Sequence, residues 1–379
     1  MKHKEIAIIG AGIGGLTTAL ALKKKGFKVS VYESAKEIKP LGAGIVMANN
    51  AMQIFDKLGI RTKIENAGKK VSSICITNSQ LKSISTSNLT SFEKKYGVFN
   101  VAIHRADLQN ILANELGWEN IFLGKRLNKI EQKDNYTLYF NDTSKVETPI
   151  LIGADGIRSK VRTELFGDLK LRDTQQRCWR GVCELDTLEK FNHEAYELWG
   201  QGTRFGFVKI NRKQVYWYAV VMEYMFKNNN EVKDFFIDYH PIVKDLIQNT
   251  ETNNIIFNDI IDLAPIQTWY QDNACIMGDA AHATTPNMGQ GACQAVEDAY
   301  VISELLAKGL EPSEAFKKYQ KIRIKKAHFI VNTSWKIGVV SHLKNPLLCA
   351  IRNAFMNILP KSFNDKQLEK VFTIADLKL

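Results

Sequence analysis

Gly10-Ala11-Gly12-Ile13-Gly14-Gly15 decides the fold. It follows the apolar run Glu5 to Ile9 and opens a helix-like stretch from Gly14 to Lys25. A second strand-like run begins at Lys28 and closes on Glu33, eighteen residues after Gly15. Strand, glycine turn, helix and strand make the start of a βαβ unit, and G-x-G-x-x-G in that setting is a dinucleotide fingerprint. Gly10 permits the turn, Gly12 lets backbone approach a diphosphate, and Gly15 lets helix and strand pack closely. The diphosphate then lies at a helix N-terminus, where free N–H groups favour anions. Glu33 is placed to accept hydrogen bonds from a ribose.

Two further strings sit at strand ends. I-L-I-G-A-D-G-I-R-S-K-V-R (150–162) carries Asp155 and Gly156. C-I-M-G-D-A-A-H-A-T-T-P-N-M-G-Q-G-A (275–292) carries Gly278 and Asp279. Ligands of open α/β sheets bind at the carboxyl ends of strands. An Asp there accepts from ribityl hydroxyls or, read more plainly, caps a helix or an Asx-turn. Pro286 to Gly291 then starts a helix whose N–H groups can stabilise negative charge in a pocket.

Between these motifs the pattern changes. Cys178–Leu185, Ala195–Trp199, Arg204–Ile210 and Val215–Met222 are short β-type runs joined by turns, which predicts successive hairpins. Tyr216 and Tyr218 share one face of their strand and Trp217 takes the other; the sequence does not say which face meets a pocket. The resulting division assigns 1–70, 98–172 and 272–335 to a discontinuous cofactor domain. A β-rich substrate domain takes 71–97 and 173–271, and a helical segment takes 336–379.

Composition bounds the rest. The chain has 379 residues, 45% apolar and 24% charged, with only 8 Pro, which is a globular balance. Six scattered Cys without a C-x-x-C pair or a ligand-like Cys/His cluster argue against zinc and redox dithiols, and no metal is expected. The net charge of +11 invites a nucleic-acid reading. From Val301 onward, however, fourteen Lys/Arg face six Asp/Glu on helix-like segments, and no nucleic-acid motif accompanies them. No signal peptide is read at the N-terminus, and the longest apolar candidate, Gly338 to Leu359, is broken by Lys344, Pro346 and Arg352. A cytoplasmic location without stable membrane insertion is the expectation, and oligomeric state is not legible. Leu347, Ile351, Phe355 and Ile358 recur at helical spacing, which predicts a face packed on the protein body, with interfacial membrane contact as the alternative.

Taken together, the Gly10–Gly15 fingerprint with Glu33, the Asp155-Gly156 turn and the Gly278-Asp279 turn with its P-N-M-G-Q-G loop resemble the class A FAD-dependent monooxygenases. This is the p-hydroxybenzoate hydroxylase-like family, and the likeness runs from Ile6 to about Ala327. Within it the chain is most similar to salicylate, urate and 3-hydroxybenzoate hydroxylases and to zeaxanthin-epoxidase-like proteins. The resemblance implies a Rossmann-like α/β FAD domain with an inserted mixed β-sheet and C-terminal helices. It also implies FAD as cofactor and NADH or NADPH as a transient co-substrate. O2 and a small aromatic or heteroaromatic substrate complete the reaction, a hydroxylation through a flavin C4a-hydroperoxide.

By the same likeness Arg105, in His104-Arg105-Ala106, contacts FAD, and Gly42-Ala43-Gly44-Ile45 forms the loop beside the flavin. The full cofactor set is Gly10, Gly12, Gly14, Gly15, Glu33, Gly44, Ile45, Arg105, Asp155, Gly156, Asp279, Pro286, Gly289, Gln290 and Gly291. Asp155 is expected near the diphosphate or the nicotinamide cofactor, and Asp279 at the ribityl chain. Arg204 and Tyr216 are the candidates for holding and activating substrate; the plainer reading of Arg204 is a surface cross-strand pair. His282 is expected to brace the flavin loop and His104 to cap a helix. Two alternatives stay open: a related flavin monooxygenase or epoxidase for a larger polycyclic or isoprenoid substrate, tetracyclines included, and a non-catalytic flavin-binding protein.

Overall fold

The computed structural model describes residues 5–38, 43–185, 191–226 and 231–377. Gly42 of the loop expected beside the flavin lies outside them.

The chain weaves two sheets by leaving and re-entering each. It begins with β1 (Glu5–Ile9), α1 (Ile13–Lys24) and β2 (Lys28–Tyr32), then forms β3 (Gly44–Met47). β4 (Ser73–Asn78) and β5 (Ser83–Asn88) cross to the second sheet; β6 (Asn100–His104) then pairs with β3 in a separate three-stranded sheet, and α2 (Arg105–Leu116) follows. β7 (Ile121–Phe122), β8 (Ile150–Gly153) and α3 (Lys160–Phe166) follow. The second sheet is then completed by β9 (Leu171–Glu184), β10 (Glu194–Trp199), β11 (Thr203–Lys209), β12 (Gln214–Met222) and β13 (Ile256–Leu263). β14 (Tyr270–Gln271) and β15 (Ala274–Ile276) re-enter the first sheet. Four helices close the chain: α4 (Gly291–Ala307), α5 (Pro312–Ser341), α6 (Pro346–Ile358) and α7 (Lys361–Phe372).

The first sheet has six strands in the order β14-β15-β8-β1-β2-β7, parallel except for the short β14. Its central strands are buried on both faces, which is why β1 and β8 read as continuous apolar runs rather than alternating ones. α1 packs between this sheet and α4, and their residues form the main core.

The second sheet has seven strands in the order β13-β9-β12-β11-β10-β4-β5. Its neighbours are antiparallel except β10 and β4, which run parallel because β4 arrives from the first domain instead of through a hairpin. One face carries its own core around Phe205, Phe207 and Trp217. The Trp217 indole N–H donates to Thr250 Oγ1 at 2.8 Å, satisfying its only polar atom. The other face, bearing Tyr216 and Tyr218, turns toward β3 and the first domain. That settles the orientation left open by strand parity. Among the described residues no helix is long and apolar enough to cross a membrane.

Candidate active site

The turn after β1 is fixed by contacts that only glycine allows. Gly10 has φ +104°, and a Cβ there would sit 2.4 Å from the Ala154 carbonyl oxygen. A Cβ on Gly15 would fall 2.0 Å from the Gly10 oxygen, so α1 can begin this close to β1 only without a side chain. Gly12 differs: a Cβ there would meet nothing within 4 Å and would project into open space at the start of α1. Gly14, grouped with the cofactor contacts from sequence, instead faces α4. Its Cβ would lie 2.9 Å from that of Ala295, so its smallness serves helix–helix packing.

Two cavities adjoin at this turn, of about 640 Å3 and about 280 Å3, and both are lined by Gly12 and Glu33. The larger reaches Arg105 and Gln109, the smaller Asp155, Gly156 and Lys160. The Glu33 carboxylate accepts from the backbone N–H of Ala11 and of Ala35, each at 2.8 Å. It therefore braces the glycine turn from the end of β2, and it does so while bordering both cavities.

Asp155 takes the plainer of its two readings. Its carboxylate accepts from Ser159 Oγ at 2.5 Å and from the N–H groups of Lys160 and Val161 at 2.7 and 3.0 Å. Burial pushes its carboxyl up while these donors pull it back. Asp155 thus organises the start of α3, and what it presents to the smaller cavity is an edge already hydrogen-bonded.

Asp279 is the contrasting case. It is exposed to the cleft and accepts no hydrogen bond among the described residues; a Cβ on Gly291 would lie 3.7 Å from its Oδ1. Its carboxyl is raised because protein encloses the cleft around it, against the pull of His282 and Arg105. Pro286 opens a short 3-10 turn, Gly289 adopts φ +60°, and α4 begins at Gly291. The first amides of α4 have no partner within the helix. The Gln290 side chain is buried and its Oε1 accepts from Asn50 and Gln294, so this residue can offer a cofactor only its backbone.

Behind this loop lies a buried network that motif reading missed. His282 Nε2 is 2.6 Å from Asp298 Oδ2, which also accepts from Gly278 N–H at 3.0 Å. Arg323 donates to Asp298 Oδ1 at 2.8 Å and to Glu297 Oε2 at 2.6 Å. Lys326 donates to Glu297 Oε1 at 2.7 Å. Burial alone would push the Asp298 carboxyl up; the charges of His282 and Arg323 hold it at about 2. The bracing expected of His282 is therefore made through Asp298. His104 accepts from Ala106 N–H through Nδ1 at 3.3 Å and caps α2, as its position suggested.

The second sheet closes the cleft from the other side. A Cβ on Gly44 would sit 2.5 Å from Tyr216 Cβ, so β3, which carries Gly44 and Ile45, meets β12 at this ring. Burial raises the Tyr216 hydroxyl well beyond its usual range, against the pull of the Arg180 and Arg105 charges. The rings of Tyr216 and Tyr218 are 6.1 Å apart, tilted 39° to one another, and together line this side.

Arg204 does not present a free guanidinium to this space. It is 1% exposed, Nη2 donates to Asn287 Oδ1 at 2.5 Å, Nη1 lies 3.4 Å from Ser341 Oγ, and Nε is 2.9 Å from Glu197 Oε1. The surface-pair reading fails, because the pair is interior. Arg180 is a second cation on this wall. It lies opposite Tyr218 on β9, shares the face of Tyr216 and has no carboxylate partner among the described residues.

The comparisons with known proteins agree with this architecture. Residues 3–334 match the model of the FAD binding domain family. The chain belongs to this family. It is a FAD-dependent monooxygenase of class A. It is 34% identical to the aurachin C monooxygenase/isomerase of Stigmatella aurantiaca, covering 93% of this chain and 94% of that one. It is 30% identical to the 2-heptyl-3-hydroxy-4(1H)-quinolone synthase of Pseudomonas aeruginosa, covering 97% of each. Among solved structures, Klebsiella pneumoniae HpxO in complex with FAD and uric acid superposes with a TM-score of 0.90 at 25% identity, over 97% of this chain and 96% of that one. In this monooxygenase the open position at Gly12 and the unpartnered carboxylate of Asp279 beside a helix start fit an extended dinucleotide.

Proposed function

We propose that this monooxygenase hydroxylates a flat bicyclic heteroaromatic ring bearing an oxygen substituent, of the 4-quinolone kind, at the expense of NADH or NADPH and O2. The observation that carries the reading is Arg180: a largely enclosed guanidinium without a carboxylate partner among the described residues, beside the Tyr216 hydroxyl. An unpaired enclosed cation favours an oxygen that carries negative charge, and the two tyrosine rings favour a flat partner. The quinolone synthase is so named for a ring of this type, oxygenated at its 3-position and carrying a heptyl tail.

The cofactor is held from one end of the cleft to the other. The backbone at Gly12 and the start of α1 take the diphosphate, with Glu33 at the adjoining ribose and Arg105 across the larger cavity. Asp279 takes the ribityl hydroxyls, and the α4 start, with Gly289 and Gly291, faces the flavin ring beside Gly44 and Ile45. FAD, when bound and reduced by the nicotinamide cofactor, supplies the activation of O2. The protein's own part is to hold the ring against Tyr216 and Tyr218, stabilise charge on the substrate oxygen through Arg180, and keep water out. Arg204 acts at one remove, as a positioning residue that ties β11 to Asn287.

The test is NADH and NADPH oxidation by FAD-loaded protein with 2-heptyl-4-quinolone, urate, 3-hydroxybenzoate, salicylate and kynurenine. A large acceleration by the quinolone with a product one oxygen heavier is expected. Acceleration by urate or a benzoate alone would overturn the quinolone assignment while leaving the flavin chemistry in place.

A further inference from the structure

α6 is inside out for a helix at a protein surface. The residues it buries are Cys349 and Arg352. Arg352 Nη1 lies 3.2 Å from the carbonyl oxygens of both Val340 and Ser341, and its guanidinium sits 4.9 Å from the Trp199 ring centre. Outward point Leu347, Leu348, Ile351, Phe355 and Ile358, between 48% and 78% exposed. This overturns the expectation that their helical spacing marks a face packed on the body. Spacing identifies a face, and here the opposite face makes the contacts. Val339 and Val340 at the end of α5 and Phe363 at the start of α7 extend the exposed apolar surface.

Surface helices ordinarily turn their apolar stripe inward and their charges outward. α6 reverses this, and residues 346–358 contain no acidic side chain. Its surroundings are basic: Lys336, one turn before Val339, and Lys344, just ahead of the helix, are exposed, as are Lys366 and Lys370 on α7. From Lys336 to Leu377 there are six Lys/Arg against three Asp/Glu.

We propose that this face docks on an anionic phospholipid bilayer, with the apolar side chains at the headgroup–acyl boundary and the lysines among the phosphates. A helix apolar on one side, flanked along the chain by exposed Lys and without acidic residues has the chemistry of an interfacial helix. A second copy of this chain is the poorer occupant, because a two-fold pairing through α6 sets the same lysines against each other. The geometry gives the contact a purpose. Ser341, which accepts from Arg352 through its carbonyl, also faces Arg204 through its hydroxyl, so α6 sits against the end of the sheet that walls the cleft. A substrate with a hydrocarbon tail then reaches that end from the bilayer. The docking goes beyond the oxidation chemistry proposed above and does not rest on it.

The experiment is sedimentation of the FAD-loaded full chain with vesicles of phosphatidylglycerol and phosphatidylcholine in equal parts, against pure phosphatidylcholine, with no substrate present. Wild type is expected to pellet with the anionic vesicles, at least fivefold less with the zwitterionic ones, and to be released by 1 M NaCl. Ile351→Glu/Phe355→Glu is expected to pellet at least tenfold less, with its melting temperature, bound FAD and substrate-free NADH oxidation unchanged. Lys336→Ala/Lys344→Ala is expected to lose the preference for anionic vesicles. Wild type that stays in the supernatant overturns the proposal, as does equal pelleting of wild type and the Glu variant. A wild-type dimer that the Glu variant converts to monomer, without vesicle binding, overturns it in favour of self-association. Because no turnover is read, each of these failures leaves the catalytic proposal standing.

Discussion

Arg204 Nη2 donates to Oδ1 of Asn287 at 2.5 Å, joining the central strand of the seven-stranded sheet to the turn that precedes α4. The bond crosses from the seven-stranded sheet to the loop ahead of α4, and Glu197 supplies the balancing charge. Arg204→Met leaves the Glu197 carboxylate without its cation and Asn287 Oδ1 without this donor. Stability should fall by about 3 kcal/mol in urea unfolding, and FAD should be retained less well through purification. Unfolding indistinguishable from wild type would show that this bond does not tie the two sides.

Arg180→Met should separate from that outcome. The guanidinium has no ion-pair partner to abandon among the described residues, so the folded protein should keep its melting temperature. Loss of one charge-assisted contact is worth roughly 1.5–3 kcal/mol, hence a fall of at least tenfold in kcat/KM for the accelerating substrate. NADH oxidation without substrate should stay within about twofold. A variant with wild-type kinetics would remove Arg180 from the substrate site.

Gly12 and Gly15 stand three residues apart and should fail in different ways. Gly12→Ala meets no atom within 4 Å, so folding should survive while FAD affinity drops, read by flavin fluorescence titration. Gly15→Ala drives a methyl group to 2.0 Å from the Gly10 oxygen. That should lower stability by about 3 kcal/mol, seen as insoluble expression or an early melt. Equal FAD affinity in Gly12→Ala and wild type would place the diphosphate elsewhere.

His342 supplies a pH dependence. Burial lowers its pKa from 6.5 to about 3, and the nearby Arg204 charge adds to the effect. The unfolded chain therefore binds a proton between pH 6.5 and 3 that the folded chain refuses, and stability falls as pH drops through that window. At pH 5 the loss relative to neutral pH is about 2 kcal/mol from this group. His342→Gln should flatten that part of the unfolding-versus-pH curve. A curve of unchanged slope between pH 6.5 and 5 would exclude His342 as its source.

Much of the cofactor half was legible in the sequence because its constraints are local. Gly10, Gly15 and Glu33 lie within one βαβ unit, where contacts follow from spacing. The buried ions behind the flavin loop were not legible, since Asp298 and Arg323 are brought together only when α4 packs on α5. Arg204 was singled out from its hairpin and a family likeness, but neither reveals that Asn287, far along the chain, has already engaged it. Strand parity grouped Tyr216 with Tyr218 without saying what they face, because that depends on which sheet face finds another core. α6 was misjudged for the same reason: period reports a stripe, and only tertiary contacts report its direction.

The strand order of the first sheet also sets a timetable. β8 is made by residue 153, but its outer neighbour β15 is complete only at residue 276. At ribosomal speeds of about 5–20 residues per second, the β8 edge waits roughly 6–25 s for its partner. In that interval the last five strands of the seven-stranded sheet emerge, ending at Leu263, and can join β4 and β5, which are already made. The Asp279 turn, α4 and the Arg323 network arrive after it. A nascent chain therefore completes the seven-stranded sheet before the Asp279 turn and the start of α4, so the cleft between them closes only after its sheet wall is made.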